Sequence, residues 1–118
     1  IRGIYTAGAA LFWWSHMPKS RIRDFLSRLH GVLRPGARVV FVDNLPADCQ
    51  HRPPVGVDAE GNTYQRRVLR NGRAYEIIKN YPTGGEVRET LAGLGEGIEY
   101  TAFTCVWLVT YRAARHPT

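Results

Sequence analysis

The chain has 118 residues, enough for one domain and not two. Hydrophobic residues make up 44% and charged residues 22%, an ordinary globular composition that excludes a disordered or low-complexity chain. The formal charge is +6, but it comes from scattered Arg with no run longer than Arg66-Arg67, the pattern of a solvated basic surface rather than a nucleic-acid face.

The chain opens on Ile1 rather than Met, a few residues before an apolar run, as a fragment or a processed product would. Residues 4–12 are apolar on both alternating faces, which predicts a strand buried on both sides in a parallel sheet, or a short buried helix. Trp13-Trp14-Ser15-His16 would follow at its C-terminal end. Pro18 then suits the first position of a helix over 18–33. Ile22, Phe25, Leu26, Leu29 and Leu33 form one apolar stripe, with Arg21, Arg23, Asp24, Arg28 and His30 mostly outside it. Pro35 and Gly36 supply the breaker and turn. Residues 37–43 form a second strand, with four consecutive β-formers from Val39 to Val42. Strand, helix and strand with tight connections predict a right-handed parallel βαβ unit.

Residues 44–62 have no periodicity and hold Pro46, Pro53, Pro54, Gly56 and Gly61, as a functional loop, a lid or a disordered segment would. A hairpin over 64–78 turns at Asn71-Gly72, and a two-residue turn there would set Arg67 opposite Glu76 and Val68 opposite Tyr75. Thr83 and Glu86 read as a capping box that opens a helix over 84–94, with Gly95 as its stop. The chain closes with a strand pair over 98–111 at a sheet edge. Cys49 and Cys105 lie far apart with no CxxC pair, which predicts neither a disulfide framework nor a zinc site and fits a reducing, cytoplasmic setting. No run reaches the roughly 18 apolar residues of a membrane span. The N-terminus has no signal-peptide pattern.

This order of elements resembles the second half of the class I S-adenosylmethionine-dependent methyltransferase fold, from its fourth strand to its seventh. Three stretches carry the likeness: Ala10 through Trp13-Trp14-Ser15-His16 to Pro18, Leu33-Arg34-Pro35-Gly36-Ala37-Arg38 with the strand ending Asp43-Asn44, and Lys79-Asn80-Tyr81-Pro82-Thr83. The resemblance implies an α/β fold: the C-terminal half of a Rossmann-like sheet, with parallel strands, a terminal antiparallel strand and an inserted β-hairpin. It implies a single partial domain over 1–118. The family's Gly-rich cofactor loop and its ribose-binding acidic residue are not in the chain; Gly84-Gly85 follows Thr83 at a helix start and reads as part of a cap.

The implied function is S-adenosylmethionine-dependent methyl transfer to a small molecule, as part of a longer enzyme. The competing reading is a non-catalytic basic α/β fragment that binds nucleic acid or an acidic partner. Ligands in open α/β sheets sit beyond the C-terminal ends of the strands, which singles out 12–16 and 43–44. His16 is the candidate general base, against a role in orienting the turn before Pro18. Phe12, Trp13 and Trp14 are candidates to line the S-adenosylmethionine site, where aromatic rings suit a sulfonium. Packing under the next helix is the alternative for the two Trp. Ser15, Asp43 and Asn44 are candidate substrate contacts, against a cap for Ser15 and a backbone hydrogen bond for Asp43. No metal site is expected. With the family's first strand missing, 4–12 would be an open edge prone to self-association.

Overall fold

The computed structural model describes residues 4–46 and 54–114. In chain order the elements are β1 (Tyr5–Leu11), α1 (Ile22–Val32), β2 (Leu33–Asn44), β3 (Gly56–Val57), β4 (Thr63–Val68), β5 (Ala74–Ile78), α2 (Gly84–Leu91), β6 (Gly95–Ala102) and β7 (Val106–Ala113). Short 3₁₀ turns at Trp14–His16 and Lys19–Arg21 connect β1 to α1.

A four-stranded sheet runs in the order β1-β2-β7-β6, and a separate three-stranded sheet runs β3-β4-β5. β1 lies parallel to β2, and β7 lies antiparallel to both β2 and β6. The last strand is therefore inserted between β2 and β6, so both edges of β2 are paired. Alternation decides which face is core. Val39, Phe41 and Asp43 of β2 share a face with Tyr111, Val109 and Trp107 of β7, and all six are buried. That face carries Trp14, Ile22, Leu26, Val87 and Leu91 in one cluster, so both helices cover it. Val40, Val42 and Leu108 on the other face are only partly buried, and Leu11 is exposed.

The α1 stripe differs from expectation at two places. Ile22, Leu26 and His30 are its buried residues, while Phe25 is exposed. His30 is not at the surface: its Nε2 lies 2.6 Å from Tyr111 Oη beneath the helix. Burial holds the Tyr111 hydroxyl far above its usual range, so it stays neutral. Pro35-Gly36 does not separate helix from strand either. β2 begins at Leu33, and Gly36 (φ 82°) lies where the register with β1 slips between Tyr5↔Leu33 and Ala7↔Arg38.

The hairpin register is one residue off the expected one. Arg66 faces Glu76, Arg67 faces Tyr75 and Val68 faces Ala74. The reason is a three-residue loop. Gly72 N–H donates to Leu69 O at 2.9 Å, Leu69 N–H donates to Arg73 O at 2.8 Å, and Gly72 has φ 83°. That is a type I turn closed by a left-handed glycine, rather than a two-residue Asn-Gly turn. The 44–62 segment is not structureless where it is described: it contains β3, which pairs with β4 just beyond it. Its residues 47–53, with Cys49 and His51, lie outside the described residues, as does His116.

α2 has the expected capping box, with Glu86 N–H donating to Thr83 Oγ1 at 3.1 Å and Thr83 N–H donating to Glu86 Oε1 at 3.0 Å. It stops earlier than expected, at Leu91, and Gly95 opens β6 instead. Cys105 is disulfide-bonded, contrary to the sequence expectation, which removes the thiol argument for a reducing compartment. Among the described residues no helix is long and apolar enough to cross a membrane.

Candidate functional site

The C-terminal ends of β1 and β2 meet the inserted hairpin at one place. The chain leaves β1 through Phe12, whose N–H donates to Val42 O at 2.8 Å and whose φ is 56°. A phenylalanine rarely adopts that backbone, and such conformations concentrate where function fixes the chain. The following turn is then tied to β2. Ser15 N–H donates to Asp43 Oδ2 and Asn44 N–H donates to Asp43 Oδ1, both at 2.7 Å. One carboxylate thus satisfies backbone donors from both strand ends.

The charge on Asp43 has a partner from the hairpin. Lys79, directly after β5, places Nζ 3.3 Å from Asp43 Oδ1, 2.8 Å from Ser15 Oγ and 2.9 Å from Asn44 Oδ1. Lys79, Asp43 and Ser15 are all buried. A buried lysine is tolerable only when paired and fully hydrogen-bonded, and three acceptors match its three N–H donors. Asn80 continues the seam. Its N–H donates to Ser15 O at 2.7 Å, and its Nδ2 donates to Met17 O at 3.2 Å and Asn62 Oδ1 at 3.0 Å. Asn62 Oδ1 also accepts from Lys19 N–H at 2.9 Å.

His16 stands on this clamp. It is exposed, and its Nδ1 lies 2.8 Å from Ile78 O. A carbonyl can only accept, so Nδ1 carries the hydrogen; in the neutral ring the lone pair is then on Nε2. A cleft of about 440 Å³ runs beside the turn, lined in part by Pro18, Arg21, Asp58, Asn62, Tyr64 and Ile78. Asp58 is held by its turn: Asn62 N–H at 2.9 Å, Glu60 N–H at 3.0 Å and Tyr64 O–H at 3.0 Å all donate to it. Burial alone would raise its carboxyl, but these donors win and hold it below 3.8. The bond to Asp58 in turn pushes the Tyr64 hydroxyl up.

The expected site residues separate into two groups. His16 and Phe12 are exposed at the strand ends, and Asn44 is half-buried beside them. Trp14 is 2% exposed and packs edge-on against Phe41 and Trp107, at 5.4 Å and 5.7 Å between ring centroids. It offers no surface to a cofactor. Trp13 is half-buried against Phe25 and Phe41. Ser15 and Asp43 are both 0% exposed and committed to Lys79 and backbone donors, so neither presents an atom to a substrate. The sequence reading missed Lys79 and Asn80 as site-building residues. Their signal was two polar residues directly after Ile77-Ile78, where a strand returns to the sheet. Among the described residues no three His, Cys, Asp or Glu side chains gather as metal ligands.

No family model matches the chain, and no curated protein sequence matches it either. Solved structures do. A DhpI–SAH complex is 25% identical with a TM-score of 0.70, over 94% of this chain and 48% of that one. A DhpI–SAM–HEP complex gives the same identity and TM-score over 91% of this chain and 50% of that one. An S-adenosylmethionine-dependent methyltransferase from Mesorhizobium loti is 14% identical with a TM-score of 0.61, over 95% of this chain and 64% of that one. The chain spans about half the length of the DhpI chains. It has the class I S-adenosylmethionine-dependent methyltransferase fold, a portion of a Rossmann-like sheet with parallel and antiparallel strands. S-adenosylmethionine is the cofactor of the proteins that share it.

Proposed function

We propose that this chain is the acceptor-side half of an S-adenosylmethionine-dependent methyltransferase that acts on a small molecule, within a longer enzyme whose remaining part holds the Gly-rich cofactor loop. The observation that carries the reading is His16, set at the strand end with Nδ1–H donated to Ile78 O at 2.8 Å. The bond fixes the tautomer that a general base needs, and the Lys79–Asp43–Ser15 clamp fixes the turn that bears it.

S-adenosylmethionine, when bound, supplies a methyl group on a sulfonium. Phe12 fits a place beside it: the residue is 49% exposed just after β1, and an aromatic face attracts a sulfonium. Trp13 packs against Phe25 of α1 and Phe41 of β2, and Trp14 belongs to the core. An acceptor O–H or N–H would have to give up its proton on taking that methyl group. His16 Nε2 receives that proton. Asn44, half-buried at the end of β2, keeps acceptor contact within its reach while its Oδ1 holds Lys79. The exposed edge of β1 is where the remaining part, or a second copy of the chain, adds its strand.

The test is methyl transfer by the complete enzyme with His16→Asn. A general base contributes roughly 10²–10⁴-fold, so kcat/KM should fall by that order and its pH profile should lose the acidic limb. Cofactor affinity, read by calorimetry with S-adenosylhomocysteine, should stay unchanged. An unaltered pH profile would remove His16 from the chemistry, and no cofactor binding at all would overturn the methyltransferase reading.

A further inference from the structure

The hairpin carries a second cation that the clamp does not use. Side chains alternate along β4, so Gln65 and Arg67 share one face, opposite Ile77 and Tyr75. Arg67 Nη2 donates to Gln65 Oε1 at 3.2 Å, and Gln65 Nε2 donates to Tyr81 Oη at 2.9 Å. Lys79 Nζ lies 5.7 Å from the centroid of the Tyr81 ring. A continuous polar track therefore runs from Arg67 to the lysine that holds the His16 turn. The bond to Gln65 draws the guanidinium back along the strand, to the level of Ile77, one residue before the carbonyl that binds His16.

Arg67 is left incomplete on this track. Its Nε is sequestered from solvent and has no hydrogen-bond partner. Among the described residues no carboxylate ion-pairs with it. Glu76 faces Arg66 across the strands, on the other side of the hairpin. Arg67 is half-buried, so although its Nε is sealed in, its terminal nitrogens have N–H donors beyond the one given to Gln65, and these suit a planar or tetrahedral oxyanion. Lys79 cannot take that role, because Ser15, Asp43 and Asn44 occupy its donors. Arg70 and Arg73 are exposed at the hairpin tip and solvated.

We infer that Arg67 binds an oxyanion of the methyl acceptor, a carboxylate or a phosphoryl group, with Gln65 and Tyr81 orienting the guanidinium. The inference rests on the methyltransferase reading and narrows its substrate to an anionic small molecule. Binding holds the acceptor by its charged end and leaves its nucleophilic end to reach His16.

Calorimetric titration of the full chain with inorganic phosphate, and separately with acetate, tests the site without cofactor. Saturable binding is expected for the wild type and for Arg70→Gln, which removes the same charge at the exposed tip. Arg67→Gln should bind at least about tenfold more weakly, the difference expected for losing a charge-assisted pair. The tighter of the two probes identifies the group. Equal binding by Arg67→Gln and the wild type, or no saturable binding by the wild type, overturns the proposal. Should circular dichroism show Arg67→Gln unfolded, Arg67→Lys carries the test: it keeps charge and stem but loses the fork. Several-fold weaker binding supports the site, and unchanged affinity overturns it. A single-stranded oligonucleotide that binds with a steep salt dependence, equally weakened by Arg67→Gln and Arg70→Gln, also overturns it in favour of nucleic acid. Phosphate binding does not depend on S-adenosylhomocysteine binding, so either reading can fail without the other.

Discussion

Lys79 is where a single residue decides the geometry of the strand ends. Replacing it with Met leaves Asp43 buried at 0% exposure with its charge uncompensated. Removing one partner of a buried pair costs about 3–5 kcal/mol, so urea unfolding of Lys79→Met should lose that much stability. Lys79→Met with Asp43→Asn should recover part of the loss, because the second change removes the stranded charge. A double variant no more stable than the single one would show that the pair is not the source. Asp43, Asn44 and Ser15 were legible as strand-end residues from sequence. Lys79 was not, because it reaches Ser15 across 64 positions and only a folded hairpin brings it there.

Asp58 gives a pH dependence at the same scale. Its folded carboxyl titrates below the ordinary 3.8, held down by Asn62, Tyr64 and Glu60 against the opposing effect of burial. A depressed carboxyl contributes stability that is present above the unfolded value and lost as pH falls through the folded one. The turn over Asp58, Glu60 and Asn62 should therefore loosen below about pH 4, with faster amide exchange at Asn62 and Glu60. Asp58→Asn should abolish that acid step; an unchanged step would place its origin elsewhere.

Among elements, the hairpin shows how a small error in a turn changes what a face presents. Asn71-Gly72 marked the hairpin correctly, but the loop holds three residues, so Arg67 faces Tyr75 rather than Glu76. Because side chains alternate, that one-residue slip decides whether Arg67 lies with an acidic partner or without one. Sequence could not separate the two turns, since both accept Asn-Gly. Gly72 has φ 83°, and an L side chain there costs about 1–2 kcal/mol. Thermal unfolding of Gly72→Ala should show a loss of that size; an unchanged midpoint would argue against the left-handed closure. Gly95 shows a different limit. It looked like a helix stop, yet a Cβ there would come within 2.5 Å of Tyr111 Cδ2, so its size serves the packing of β6 over a buried ring. No local pattern reports that close approach.

At the scale of the molecule, the described residues cover the sheet on one face only. α1 and α2 lie over the side that holds Phe41, Trp107 and Tyr111, while Val40, Val42 and Leu108 are partly exposed on the other. β1 is the outer strand, with Leu11 64% and Tyr5 52% exposed, and no lysine, proline or bulge within Ala7–Leu11 blocks pairing. Proteins ordinarily guard such edges, and an apolar edge joined to an apolar face is a template for a further strand. The parallel pairing and the apolar run were both legible in sequence; the one-sided cover was not, because it depends on where both helices cross. Alone in solution, the chain is expected to sediment as a dimer or larger species at micromolar concentration. Leu11→Lys places a charge on the uncovered face without touching the buried one, since Leu11 pairs with Val42 on the outer side. It should shift the chain toward monomer while its far-UV circular dichroism stays the same. A wild-type monomer that unfolds cooperatively would show that the edge is protected and would count against the half-domain reading itself.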